Sequence, residues 1–204
     1  MRFTVGSLFS GIGGLDLGLE RAGMEIVWQV ENDPYCNKVL AKHWPDVKRY
    51  ADVRDVDFTT TEPVDLLCGG FPCQPVSVAG KRKGSADERW LWPEYYRAIR
   101  EARPRWVMVE NVPGLLSMDN GRLFAGILRD LAGSGYDAEW NLLSAAHVGA
   151  PHLRYRLFMV CHAQYDGRAT AEVGGSPEER VYRGAARAHQ ARELTGSSEQ
   201  RASL

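Results

Sequence analysis

Three kinds of reactive side chain stand at the ends of apolar, β-rich runs: Cys73 in GGFPCQP, Glu110 in VMVENVPG, and Arg154 with Arg156 in HLRYRLFMV. A cysteine attacks as the thiolate, which a helix N-terminus or nearby cations favour. Pro72 and Pro75 fix φ on either side of Cys73 and restrict its loop. Cys68, inside VDLLC, reads instead as a buried, inert thiol, the commoner fate of a cysteine. Incomplete solvation at the close of an apolar run raises a carboxyl pKa, which makes Glu110 a candidate hydrogen-bond donor or acid. A salt-bridged or helix-capping acid is the plainer alternative. Arg154 and Arg156 alternate along the start of a strand and are expected on one face, with ordinary surface arginines as the plainer alternative.

The elements that must position these groups follow from hydrophobic patterning. Strands are expected at FTVGSLF, EIVWQV, near KRYADV, and at VDLLCGG, RWVMVEN, EWNLLSA and RLFMVC. LDLGLERAG, YCNKVLAKHW, WPEYYRAIREA and GRLFAGILRDLAGSG carry helical spacing, and glycine ends at least two of them. Short apolar runs alternating with amphipathic segments specify an α/β, doubly wound, mostly parallel sheet of seven strands with helices on both faces.

The first strand runs directly into SGIGGLDLGLERAG, where Gly11, Gly13 and Gly14 permit a tight turn at a helix N-terminus. Glu31 closes the second strand about 20 residues later, where such folds place an acid against ribose hydroxyls. Asp52, after the third strand, is placed to accept from an adenine amino group. Steric relief alone would also explain the glycines, but acids at successive strand ends favour a ligand. The third glycine of the dinucleotide fingerprint and a phosphate-binding base are both absent. That favours an adenosine cofactor without pyrophosphate, a description S-adenosylmethionine meets.

The chain has 204 residues, 44% of them hydrophobic, enough for one ordinary domain. No stretch approaches the roughly 20 apolar residues of a membrane span, and MRFTVGSLFSGIGG lacks a signal-peptide pattern, so a cytoplasmic location is expected. The four cysteines and five histidines show no zinc-site spacing, and no metal is expected. The net charge of −1 leaves nucleic-acid binding to local groups such as Lys81, Arg82 and Lys83. Residues 1–162 form the expected catalytic domain. Residues 163–204 contain only Val173, Val181, Leu194 and Leu204 from the Leu, Ile, Val and Phe set, and are expected to be a largely disordered polar tail.

FSGIGGLDLGLERAG, ENDPYCNKVL, ADVRD, GGFPCQPVSVAGKRKG, ENVPGLL and HVGAPHLRYRLFMV, in this order, resemble the cytosine-5 DNA methyltransferase family over residues 3 to about 162. The resemblance implies that Cys73 adds to carbon 6 of a flipped cytosine. It further implies that Glu110 engages nitrogen 3 and the exocyclic amine, and that Arg156, supported by Arg154, holds the carbonyl oxygen at position 2. Phe9, Gly11, Gly13, Gly14 and Pro72 are assigned to the cofactor pocket, with Glu31 on the ribose and Asp52 on the adenine. Gln74, Ser77, Lys81, Arg82 and Lys83 are assigned to double-stranded DNA, in a cationic loop suited to closing over the base.

His152 stands where the family often has glutamine. No segment after the arginine strand resembles the family's target-recognition domain or its last returning motif. The implied activity is therefore that of a catalytic domain relying on a separate target-recognition chain. A truncated, inactive S-adenosylmethionine-binding remnant and a methyltransferase acting on RNA remain as alternatives. A nicotinamide oxidoreductase would explain neither Cys73 nor Arg156.

Overall fold

A computed structural model describes residues 2–72 and 90–164. Seven strands form one sheet in the order β3-β2-β1-β4-β5-β7-β6. The strands are β1 (Thr4–Leu8), β2 (Glu25–Val30), β3 (Lys48–Tyr50), β4 (Leu66–Gly69), β5 (Trp106–Asn111), β6 (Tyr136–Ser144) and β7 (Tyr155–Ala163). The first five run parallel, and β7 is antiparallel to both β5 and β6. All seven expected strands are present, although β3 is shorter than KRYADV and β6 begins before Glu139.

Four α-helices connect them: α1 (Gly14–Arg21), α2 (Pro34–His43), α3 (Trp92–Ala102) and α4 (Arg122–Gly133). Local chemistry sets their ends. Asp33 caps α2 by accepting from the Cys36 N–H at 2.8 Å, with Pro34 in the first turn where its missing N–H costs nothing. Gly23 and Gly135, both with positive φ, follow α1 and α4.

Strand alternation divides the core between the two faces of the sheet. Val5, Ile26, Leu66 and Cys68 pack with Leu19 of α1 on one face. On the other, Leu67, Val107 and Val109 pack with Tyr95 and Ile99 of α3 and with Ile127 and Leu131 of α4. Each fully buried aliphatic side chain contributes about 1.5–3 kcal/mol, so both faces of the central strands are specified. This is the doubly wound arrangement expected from the sequence.

The chain leaves β1 toward β2 and β3, then returns to lay β4 and β5 on the other side of β1. Ligands in such sheets bind beyond the carboxyl ends of the strands at this reversal. There the backbones approach closely: Leu8 and Gly69 are register partners, and a Cβ on Gly69 would lie 2.3 Å from the Leu8 carbonyl oxygen. Gly69→Ala is therefore expected to destabilise the protein by about 1–3 kcal/mol through overpacking against backbone. An unchanged urea midpoint would show that β1 and β4 can separate without cost.

Candidate active site

The glycine loop is built from backbone hydrogen bonds. The Ser10 N–H donates to the Val30 carbonyl at 3.1 Å and the Gly13 N–H to the Ser10 carbonyl at 2.9 Å. Phe9 (φ 50°), Gly11 (φ 55°) and Gly13 (φ 84°) all occupy the left-handed region. That conformation is easy for glycine and strained for phenylalanine. Gly14 opens α1 with no such requirement.

Glu31 closes the loop from the side. Its Oε2 accepts from the Gly11 N–H at 2.7 Å and its Oε1 from the Asp33 N–H at 2.8 Å. Its own N–H donates to the Tyr50 carbonyl at 3.0 Å, which ties it to the end of β3. Two backbone bonds orient the carboxylate and leave acceptor capacity for two more donors, as a ribose diol requires. The Gly11 N–H, which in a dinucleotide loop would face phosphate, here serves a carboxylate. The donors and acceptors present thus fit a neutral nucleoside better than a pyrophosphate. Asp52 follows β3, accepts from the Arg54 N–H at 3.0 Å and lies 3.8 Å from the Arg54 guanidinium, with its side chain 33% exposed.

Beneath the loop lies an acid that sequence reasoning passed over. Asp16, in the first turn of α1, is fully buried. Its Oδ1 accepts from Ser7 Oγ at 2.6 Å and its Oδ2 from Gln29 Nε2 at 2.7 Å, while Ser10 Oγ reaches Ser7 Oγ at 2.9 Å. The network joins β1, β2, the loop and α1. Its signal was the three-residue spacing of Asp16 from Leu19, which puts the acid on the buried face of α1. Burial pushes the Asp16 carboxyl above the ordinary range, against the lowering effect of the Ser7 and Gln29 bonds.

The second half of the site gathers around β5. Glu110 Oε1 pairs with Arg156 Nε at 2.8 Å, the side chains being 27% and 22% exposed. Because β7 runs antiparallel, its first residues lie where β5 ends, and Glu110 is in register with Phe158. A Cβ on Gly70 would lie 2.6 Å from Glu110 Oε2, so this glycine leaves room for the carboxylate. Asn111, given no role from the sequence, donates from Nδ2 to the Phe71 carbonyl at 3.1 Å. That bond ties the end of β5 to the segment running through Pro72. Phe71 packs edge-on against Trp90 and Tyr95.

The structure thus brings Glu110 and Arg156 together as an ion pair, the salt-bridged alternative for this acid. Arg154 behaves differently from the expectation that it shares a face with Arg156. β7 begins at Tyr155, and Arg154 precedes it with φ 24° and an exposed side chain. Strand alternation does not extend to it, and it makes no ion pair among the described residues. Cys68 is the buried thiol it was expected to be, its pKa pushed up by burial. Cys73, Gln74, Ser77, Lys81, Arg82 and Lys83 lie outside the described residues, as does the expected tail beyond Gln164. Among the described residues there is no cluster of His, Cys, Asp and Glu able to hold a metal, and no helix is long and apolar enough to cross a membrane.

The family model for C-5 cytosine-specific DNA methylases matches residues 3–193. The chain belongs to that family. The match continues past residue 162 into the segment expected to be a tail. Among relatives, Type II methyltransferase M.Eco47II of Escherichia coli is 42% identical over 162 residues, spanning 78% of this chain and 39% of that protein. Type II methyltransferase M.NgoMIV of Neisseria gonorrhoeae is 40% identical over 161 residues, spanning 78% of this chain and 52% of its own. A crystal structure from Escherichia coli, of a prophage-encoded protein assigned as a DNA modification methyltransferase, superimposes with a TM-score of 0.67 at 29% identity. It covers 79% of this chain and 47% of that one. The chain therefore spans about half the length, or less, of these relatives.

The buried acid gives a pH prediction. A carboxyl whose pKa is raised on folding binds protons more readily in the native state, so it withdraws stability as pH rises above the unfolded value of 3.8. Asp16→Asn is expected to gain on the wild type in urea midpoint as pH rises from 4 toward neutrality. A difference that stays flat over this range would show that Asp16 does not titrate with folding.

Proposed function

We propose that this chain is the catalytic part of a DNA (cytosine-5) methyltransferase that acts in the cytoplasm on double-stranded DNA. The observation that carries the reading is the Glu110–Arg156 pair at the sheet edge, with Gly70 clearing space beside the carboxylate. A guanidinium and a carboxyl held side by side suit the polar edge of a pyrimidine, which presents a carbonyl oxygen, a ring nitrogen and an amine in succession.

Carbon 5 of cytosine is a weak nucleophile. In the proposed reaction the thiolate of Cys73 bonds to carbon 6, and the electron pair of the 5,6 double bond moves to carbon 5. A proton held between Glu110 and nitrogen 3 offsets the charge that builds on the ring, while Glu110 accepts from the exocyclic amine. Arg156 donates to the oxygen at position 2. Bound beside Phe9, Gly11, Gly13, Gly14 and Pro72, with Glu31 on its ribose and Asp52 on its adenine, S-adenosylmethionine supplies an electrophilic sulfonium methyl group. As carbon 5 bonds to that methyl group, the methyl–sulfur bond would break with its electron pair staying on sulfur, leaving S-adenosylhomocysteine. Passage of the carbon 5 proton to water would then restore the double bond and expel the Cys73 thiolate from carbon 6. The base must leave the helix for this chemistry. Gln74, Ser77, Lys81, Arg82 and Lys83 are the residues we assign to DNA contact, and Arg154 is assigned to support of the arginine site.

DNA carrying 5-fluorocytosine has no proton to lose at carbon 5, so it is expected to become covalently attached to the protein when S-adenosylmethionine is present. Cys73→Ser should abolish the adduct on a denaturing gel. Glu110→Gln should slow its formation by about 10²-fold or more, as expected for an acid acting in the transition state, while changing cofactor affinity little. Bound cofactor with no adduct under any condition would favour a binding-only protein.

The relatives extend well beyond the matched region; as part of the same proposal, target recognition is assigned to polypeptide outside the matched residues, and a separate chain is the partner proposed for it. Co-expression with the product of an adjacent reading frame is expected to convert weak, unselective trapping into trapping at one sequence. Equal trapping on scrambled DNA, with and without that product, would sink the two-chain reading.

A further inference from the structure

Arg97, given no role so far, spends its guanidinium on two carboxylates and two distant backbone carbonyls. It projects from α3 between Glu94 and Glu101, pairing with each at 2.9 Å. Its remaining donors cross to the segment that follows Asp52. Nη2 donates to the Val53 carbonyl at 2.7 Å and Nη1 to the Val56 carbonyl at 2.9 Å, across sequence separations of 44 and 41 residues. The guanidinium also covers the Phe58 ring at 5.4 Å, and Glu101 accepts from the Phe58 N–H at 3.1 Å.

These contacts converge on one short stretch. Asp52 caps the single 3₁₀ turn Val53–Asp55, and Arg97 grips carbonyls at the start of that turn and just past its end. A helix tied to the sheet by a packed core thus fixes the backbone that presents a half-exposed carboxylate. Lysine would keep the charge but lose the planar fork that reaches two carbonyls and two carboxylates at once.

We propose that Arg97 is a positioning residue for adenine recognition: by clamping the Val53–Val56 backbone to α3, it sets the direction of Asp52 and so the preference for a 6-amino purine in the cofactor. This rests on the reading of Asp52 as the adenine acceptor.

The test measures dissociation constants of the full chain for S-adenosylmethionine and for S-inosylmethionine, which carries an oxo group in place of the amine. Wild type is expected to prefer the amine by about tenfold, the value of one well-made hydrogen bond. Asp52→Ala should erase the preference. Arg97→Ala should reduce it to about twofold or less while leaving S-inosylmethionine affinity within about threefold of wild type, and Arg97→Lys should fall between. Equal losses for both ligands in Arg97→Ala, with the ratio preserved, would mark Arg97 as merely structural and overturn the proposal. If Arg97→Ala does not fold, the ratio in Arg97→Lys and in Glu101→Gln decides by the same criterion. A wild-type ratio retained in Asp52→Ala would remove the reading of Asp52, and the proposal with it, whatever the Arg97 variants do.

Discussion

The site depends on one reversal of direction. In a purely parallel sheet, strand starts and strand ends lie on opposite edges, so an arginine at the beginning of a strand cannot meet a glutamate at the end of another. β7 runs against β5, so its first residues arrive where β5 ends: Glu110 faces Phe158 in register, and Arg156, two residues earlier in β7, reaches the Glu110 carboxylate at 2.8 Å. A pair exposed to about a quarter of its surface contributes little net stability after desolvation and solvent screening. Its worth is directional, since a guanidinium held by a carboxylate has few orientations left. β6, antiparallel to β7, places Leu143 opposite Arg156 in register.

Charge is sorted along that edge. The β1–β3 side carries Asp16, Glu31 and Asp52, whereas the β5–β7 side carries Arg156 and its partner Glu110. The acids of the first group are occupied in different ways. Asp16 is buried and spends its acceptors on Ser7 and Gln29, Glu31 is oriented by backbone N–H groups, and Asp52 is half-exposed on a short turn. Only the last two keep acceptor capacity toward solvent. That grading of burial separates an acid that shapes the loop from acids able to meet a ligand.

The strands and helices were legible because each carries its own period: alternation in β1, β4 and β5, and apolar spacing in α3 and α4. That Glu31, Asp52 and Glu110 stand where apolar runs close, and Arg156 where the last one opens, was legible from the pattern itself, and such strand ends are where these sheets place ligands. Gly70 was legible only as a punctuating residue; its reason, a carboxylate from 40 positions away, is a tertiary fact. The clamps by Arg97 and Asn111 join residues separated by 40 or more positions, and no local pattern announces such a pair. Arg154 shows the opposite failure. The period of two was extended one residue past the strand that generates it.

The two halves of the edge differ in how they are held, and this bears on how each can fail. The glycine loop and Glu31 are fixed by bonds among residues that are close in sequence or on adjacent strands, mostly backbone donors whose loss would require β1 or β2 to unpair. The Glu110–Arg156 pair depends on a β6–β7 hairpin at the margin of the sheet, whose outer strand has alternating half-buried and exposed residues. Marginal hairpins open at lower free energy than central strands. The glycine-loop side should therefore persist through fluctuations that dissolve the Glu110–Arg156 side, so that order at Arg156, more than order at the glycine loop, limits how often the two halves of the edge are present together. A partner that covers the hairpin would raise that fraction without contributing any reactive group.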